Sequence, residues 1–406
     1  MAGRLPRHLL ALEMVAIFGL CVPSAVQAQD QAALELSPGQ LSPFARYFRP
    51  GRDDVIVSPF YSPSRRQRGD FEAIDLLVMV HNPDWERSLR FMVDRARTRV
   101  AVQVLMPVDE HGTGPFRSWS RAHCIDLHSA RLNTPWIRDY GPLQVSDGRT
   151  VTWLDFTYYP DRRLDDRLPQ KLGGEFQVPV EREEPHVDGG GLVSNGAGLC
   201  AMTDTSLADA NMHLASPSEL QQFVAKLGCH GLAVLPSLPQ EQTGHADVIV
   251  QFLARDLVAV ADMSADGNRQ DAELLDLAVG SLRRTARAIG QPLRIVRIPM
   301  HARGDVFYSY LNSLRVRDLL FVPDYRDVDR ELQTEAHSRL ARALPGVTIV
   351  PVRADSMVSL GGAIHCISVG LNVPSPSPQP LCAPRRSMLS RVAPRRSVRH
   401  AHRFRR

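Results

Sequence analysis

Four short segments hold the residue types best suited to chemistry. Trp136-Ile-Arg-Asp-Tyr-Gly-Pro142 places Asp139 beside Arg138, between a tryptophan and a Gly-Pro turn. Asp188-Gly-Gly-Gly191 sets a carboxylate ahead of three glycines. Gly244-His-Ala-Asp247 spaces an imidazole and a carboxylate two residues apart, so on a strand His245 and Asp247 would face one side. Gly361-Gly-Ala-Ile-His-Cys366 ends in a cysteine behind glycines that permit close backbone approach. A thiol peptidase also uses Cys and His. Carboxylates at Asp139 and Asp247 argue against one, because their charge would oppose the oxyanion that acyl transfer must stabilise.

The elements that carry these segments repeat. Residues 271–290 read as an amphipathic helix, with Leu274, Leu275, Leu277, Ala278, Leu282, Ala286 and Ile289 on its apolar stripe and Gly290 ending it. A strand at 293–298 follows, then strands at 312–316 and 319–322 joined near Arg317-Asp318. The same order is expected from helix 217–227 through strands 231–235, 248–253 and 257–261. It recurs from helix 327–344 through 347–352 to 359–371, and upstream from helix 84–97 through 99–106, 143–145 and 151–156. A weaker copy runs from 163–173 through 176–180 to 188–203. Self-similarity of this kind predicts an α/β propeller-like ring of five units whose inner hairpins surround a central site. The four segments fall at the inner mouths of the first, second, third and fifth units.

This set of motifs resembles the bacterial peptidylarginine deiminase and agmatine deiminase family of the pentein, or guanidino-group-modifying, superfamily, over roughly residues 45–373. The resemblance implies a five-bladed α/β propeller. It implies Cys366 as nucleophile, His245 as general acid/base, and Asp139 and Asp247 as the carboxylates that hold a guanidinium. Asp188 stands where many members carry a Glu beside the catalytic His, and Trp136 and Arg138 belong to the same substrate-binding motif. The chemistry is coherent. A guanidinium is planar and cationic, so paired carboxylates suit it and fix its carbon for attack. A thiolate beside an imidazolium supplies the nucleophile, the adduct is a thiouronium, and no metal or cofactor is called for. The sequence departs from the family at Ser368-Val369, where Thr-Gln is common, and at Asn195, where Asp is common.

Composition and the two ends favour one substrate over another. The chain has 406 residues, 44% hydrophobic and 23% charged, a globular balance. All but two of its 48 basic residues are arginine. Residues 374–406 form a Pro/Arg-rich basic tail with nine arginines and no acid, expected to be disordered and able to bind anionic surfaces. Residues 1–28 read as a secretory signal peptide, with Arg4, Arg7 and His8 before a 14-residue mostly apolar run and Val26-Gln27-Ala28 as the cleavage site. Taking nine for the tail and one for the signal from the formal net charge of +4 leaves about −6 on residues 29–373, the expected catalytic domain. An acidic body suits a cationic substrate and disfavours nucleic acid. Export also suits the cysteines: if Cys366 is free, Cys124, Cys200, Cys229 and Cys382 allow three disulfide connectivities. The sequence therefore predicts conversion of arginine residues in peptides or proteins to citrulline, with release of ammonia. The alternatives are an agmatine deiminase that yields N-carbamoylputrescine for putrescine synthesis, cytoplasmic if the signal is not one, and an exported guanidinium-binding protein whose catalytic site has drifted.

Overall fold

The computed structural model describes residues 54–108, 114–211 and 216–374, all within one compact unit. The proposed signal peptide and the basic tail lie outside the described residues. Five of the sheets share one plan: an inner strand, an antiparallel middle strand, a helix, then an outer strand parallel to the middle one. Val250–Ala254 pairs with Leu257–Asp262, helix Arg269–Ala288 crosses over, and Arg294–Pro299 completes the sheet. Leu314–Val316, Leu319–Asp324, helix Arg330–Ala343 and Thr348–Arg353 repeat the pattern. So do Leu192–Ser194, Leu199–Thr203, helix Pro217–Lys226 and Gly231–Leu235. Leu143–Ser146, Val151–Thr157, helix Leu168–Phe176 and Val180–His186 form a fourth sheet. The fifth takes its inner strand from the far end of the chain: Ser368–Leu371 pairs with Leu76–Val80, followed by helix Glu86–Ala96 and Ala101–Pro107.

The local reasons are visible in the longest helix. Asn268 caps it by accepting the Asp271 N–H, and Gly290 takes φ +69° just past its end, a left-handed conformation that glycine adopts without a Cβ clash. Its buried residues include Leu275, Ala278, Val279, Leu282 and Ala286, and the helix packs against the outer strand Gly231–Leu235 of the preceding sheet. Helix Arg330–Ala343 likewise packs on Arg294–Pro299, and helix Glu86–Ala96 on Thr348–Arg353. Each of these helices is thus shared between two sheets, which orders the units side by side.

Several expected boundaries shift. The strand expected at 176–180 runs instead over Val180–His186, because Leu168–Phe176 continues as helix until Gln177 turns left-handed at φ 57°. The expected 188–203 stretch is a hairpin, Leu192–Ser194 with Leu199–Thr203, broken by Gly196 and Gly198. Cys200, on strand Leu199–Thr203, is disulfide-bonded to Cys229 in the connection just ahead of Gly231–Leu235, Cys124 is also disulfide-bonded, and Cys366 is a buried free thiol. No helix among the described residues is long and apolar enough to cross a membrane.

Candidate active site

A single turn precedes the inner strands, and these turns carry the chemistry. Ile137–Tyr140 leads into Leu143–Ser146, Gly189–Gly191 into Leu192–Ser194, and Ala246–Ile249 into Val250–Ala254. A turn at 364–367 leads into Ser368–Leu371. His245 and Asp247 are therefore not strand neighbours, as their spacing had suggested. His245 is extended at φ −80°, ψ 144° just before the turn, and Asp247 lies inside it. The loop ahead is pinned by Glu241, which accepts the Gly244 N–H at 2.5 Å, and by Thr243 Oγ1, which accepts the His245 N–H at 3.1 Å.

The turns bring five of the expected residues to one place. His245 Nδ1 is 3.5 Å from Asp139 Oδ1, and Nε2 is 3.1 Å from Asp188 Oδ2. Gly190 marks the centre: a Cβ there would fall 2.7 Å from His245 Nδ1, 2.9 Å from Asp139 Oδ1 and 3.2 Å from Asp247 Oδ2. Cys366 is reached through Asn312, whose Nδ2 donates to Asp247 Oδ2 at 3.1 Å and lies 3.2 Å from Cys366 Sγ. Trp136 walls the thiol side, since a Cβ on Gly362 would meet both its ring, at 2.6 Å, and Cys366 Cβ, at 3.1 Å. Arg138 does something else. Its buried guanidinium pairs with Asp70 Oδ1 at 3.1 Å, and its backbone N–H donates to the Cys366 carbonyl at 3.0 Å.

Three contributors escaped the sequence reading. Asn312 occupies the mouth of the fourth unit, ahead of Leu314–Val316, where no glycine motif drew notice; its place in the repeat was the available signal. His365 stood inside the quoted Cys motif without a role, yet its Nδ1 is 2.6 Å from Asp247 Oδ2 and its Nε2 is 3.5 Å from Asp70 Oδ2. Asp70 has no motif around it, and only the fold reveals that it ties His365 to Arg138.

The decisive feature is an unmet demand for donors. Asp139 Oδ1 and Asp247 Oδ1 are buried and receive no hydrogen bond from the described residues. A buried polar atom without a partner costs about 1–3 kcal/mol, so two carboxylates on either side of one glycine, each with such an oxygen, describe a place for a planar, N–H-rich cation. The electrostatics agree. Burial disfavours the His245 cation, but Asp139, Asp188 and Asp247 outweigh it and push the imidazole up to about 10. Burial, with Asp188 and Asp247 adding to it against the pull of His245, raises Asp139 to about 7. Asp188 is held well below the usual carboxylate range: the His186 and His245 contacts overcome its burial. Burial, then the charges of Asp247 and Asp139, push the Cys366 thiol far up. Among the described residues no group of three or more His, Cys, Asp and Glu side chains is placed to hold a metal ion.

Comparison with known proteins decides the family. The model of the Porphyromonas-type peptidyl-arginine deiminases matches residues 81–371. The chain belongs to this family. It is accordingly a deiminase-type hydrolase acting on guanidino C–N bonds. It is 28% identical over 270 residues to a putative agmatine deiminase of Streptomyces coelicolor, covering 60% of this chain and 77% of that protein. A second putative agmatine deiminase, from Streptomyces avermitilis, is 26% identical over 317 residues, covering 71% of this chain and 89% of the relative. Among solved structures, the agmatine deiminase of Enterococcus faecalis superposes with a TM-score of 0.66 at 22% identity, over 79% of this chain and 98% of that one. A putative peptidyl-arginine deiminase gives the same TM-score, 0.66, at 19% identity, over 76% and 98%. These likenesses place the mixed α/β fold among the penteins.

Proposed function

We propose that the protein deiminates a small guanidinium compound, agmatine first, releasing ammonia and leaving a ureido product, N-carbamoylputrescine. The observation that carries the reaction is the pair of buried, undonated oxygens on Asp139 and Asp247 beside the free thiol of Cys366. The order of substrates follows the relatives, whose names favour agmatine over the peptidyl-arginine expected from the export signal. The shared helices and the strand lent by the far end of the chain support an arrangement of the five units as a closed five-bladed propeller around this site.

Asp139 and Asp247 grip the guanidinium edge. Its positive charge offsets the two carboxylates that hold the Cys366 thiol up, so substrate arrival favours the thiolate, the thiol proton leaving to solvent. The sulfur lone pair forms a C–S bond to the guanidinium carbon as the C=N electrons move onto nitrogen. Asp188 holds His245 Nε2, which leaves Nδ1, on the Gly190 side, to move protons. The C–N bond breaks, its electron pair leaves with nitrogen, and that nitrogen takes the Nδ1 proton and departs as ammonia. Neutral His245 then takes a proton from water as the hydroxyl adds to the thiouronium carbon. Collapse returns the C–S electron pair to sulfur, and the hydroxyl proton leaves to solvent, where ammonia binds it.

A second reading, peptidyl-arginine as substrate, draws on the name of the matching family and on the Cys200–Cys229 disulfide, a bond typical of exported proteins. The signal-like residues 1–28 support export as a proposal of the same rank. Ammonia release from agmatine, an arginyl peptide and free arginine, measured side by side on wild type and Cys366→Ala, tests both readings. Agmatine is expected to give the highest kcat/KM, with Cys366→Ala inactive. Preference for the peptide would reverse the ranking, and wild-type inactivity on all three with the thiol reduced would overturn the proposal.

A further inference from the structure

Asp188 does not serve His245 alone. Its Oδ2 faces His245 Nε2 at 3.1 Å, while its Oδ1 lies 3.0 Å from Nε2 of His186, the last residue of the strand Val180–His186. One carboxylate therefore lies between two imidazoles, one within ion-pair distance of each oxygen. The backbone is arranged for this. Thr157 pairs with His186 after a register shift that skips Glu184 and Pro185, so the strand end is carried forward to the Asp188 turn. His186 is held there by ring contacts: it stacks on Tyr158 at 6.1 Å and 9°, and meets Tyr159 edge-on at 4.7 Å. The Tyr159 hydroxyl donates to Asp188 Oδ2 at 3.2 Å, so this side chain is fastened from three directions.

We infer that His186 is a positioning residue for proton transfer: a second imidazolium that shares Asp188 and thereby weakens the hold of that carboxylate on the His245 proton. The inference rests on the role of His245 proposed above. The site has a reason to need such a partner. His245 is faced by Asp139, Asp188, Asp247, Glu241 and Asp209, five carboxylates, and a proton held too tightly is a poor one to hand to departing ammonia. His186 is faced by Asp188, by Asp209 on helix Asp204–Asn211, by His245 and by Tyr158 and Tyr159. Burial works against its charge, but contact with Asp188 raises it above the ordinary imidazole value, so it carries charge into the neutral range. A cation on the second oxygen of Asp188 acts on His245 as a like charge through one shared carboxylate, lowering its proton affinity.

The test uses full-length protein. In wild type, the ring-nitrogen signals of His245, followed by NMR against pH, should show a second inflection at the titration of His186 itself. In His186→Gln, which keeps a donor but no titratable charge, that lower inflection should vanish, while the main His245 titration, reached after His186 has lost its proton, stays in place. In that variant kcat at neutral pH should fall about 3- to 10-fold with KM unchanged, and His186→Lys, which keeps a cation, should restore that rate. A wild-type His245 signal without the lower inflection, or one that keeps it in His186→Gln, overturns the inference. The NMR readout needs no substrate, so it stands even if the proposed activity fails, and the wild-type measurement stands even if His186→Gln does not fold.

Discussion

The two sides of the site are built on different principles. On the thiol side, Asp247 Oδ2 receives His365 at 2.6 Å and Asn312 at 3.1 Å, Asn312 also touches Cys366, and Asp70 ties His365 to Arg138. Direct contacts fix that half in shape. On the histidine side, His245 sits within ion-pair distance of Asp139 and Asp188, and their proton affinities are displaced strongly: His245 to about 10, Asp139 to about 7. In the proposed reaction one half positions a carbon for attack and the other half trades protons. A deiminase needs both, because the thiol must meet a carbon held in place while ammonia leaves only with an added proton.

The contrast can be broken from the proton side. His245→Gln keeps a polar side chain at Nδ1 but no transferable proton, and kcat should drop by about 10³–10⁴-fold, while binding of a guanidinium inhibitor, read by calorimetry, changes little. A comparable loss of binding would mean that His245 also shapes the pocket and that the division fails. Gly190→Ala attacks the join between the halves. The new methyl would crowd His245 Nδ1, Asp139 Oδ1 and Asp247 Oδ2 at once, all within 3.2 Å. A misplacement of about 1 Å costs on the order of 10²-fold, and the loss should appear in both kcat and KM. The pH profile sharpens the contrast further. Asp139 must be ionised to accept guanidinium N–H bonds, and it takes up a proton as pH falls through about 7. Log kcat/KM should therefore fall towards a slope of one below about pH 7, and Asp139→Asn should be slow and flat across that range.

How much of this could be read beforehand follows the same division. Cys366, His245, Asp247, Asp139 and Asp188 were legible because each lies beside glycines at the mouth of a repeated unit, where sequence spacing alone sets them equivalent. The helices were legible too, as the Leu275 to Ala286 stripe shows, because burial of one face imposes a 3.6-residue period. The supporting contacts were not. Asp70 meets Arg138 and His365 across 68 and 295 residues of chain, and no local pattern encodes such a meeting. The expectation that Arg138 binds substrate illustrates the cost: its motif was right, but a carboxylate outside every motif occupies its charge. The single turn at 246–249 was read through as strand because a four-residue turn is too short to show a helical period.

The smallest expected effect lies on the shape-holding side, in stability rather than rate. His365 is buried; burial and Arg138 oppose its charge, but Asp70 and Asp247 raise its proton affinity above the unfolded value. A group raised in the folded state contributes stability in full below its unfolded value, near 6.5 for histidine, and that contribution fades as pH rises through the folded one. His245 behaves alike up to about 10, and Asp139, a carboxylate raised to about 7, adds a loss in the same direction as pH climbs from its unfolded range. Wild type should therefore melt at progressively lower temperature from about pH 5 to pH 10. His365→Gln retains a donor for Asp247 but has no proton to lose, so its melting curve above pH 6.5 should be flatter, with the gap to wild type closing by about 2–4 °C. A parallel offset at every pH would mean that His365 acts by packing alone and that the charge on the thiol side is incidental. A gap that widens with pH would place the loss elsewhere, since removing a group that releases its proton on that branch can only level the curve.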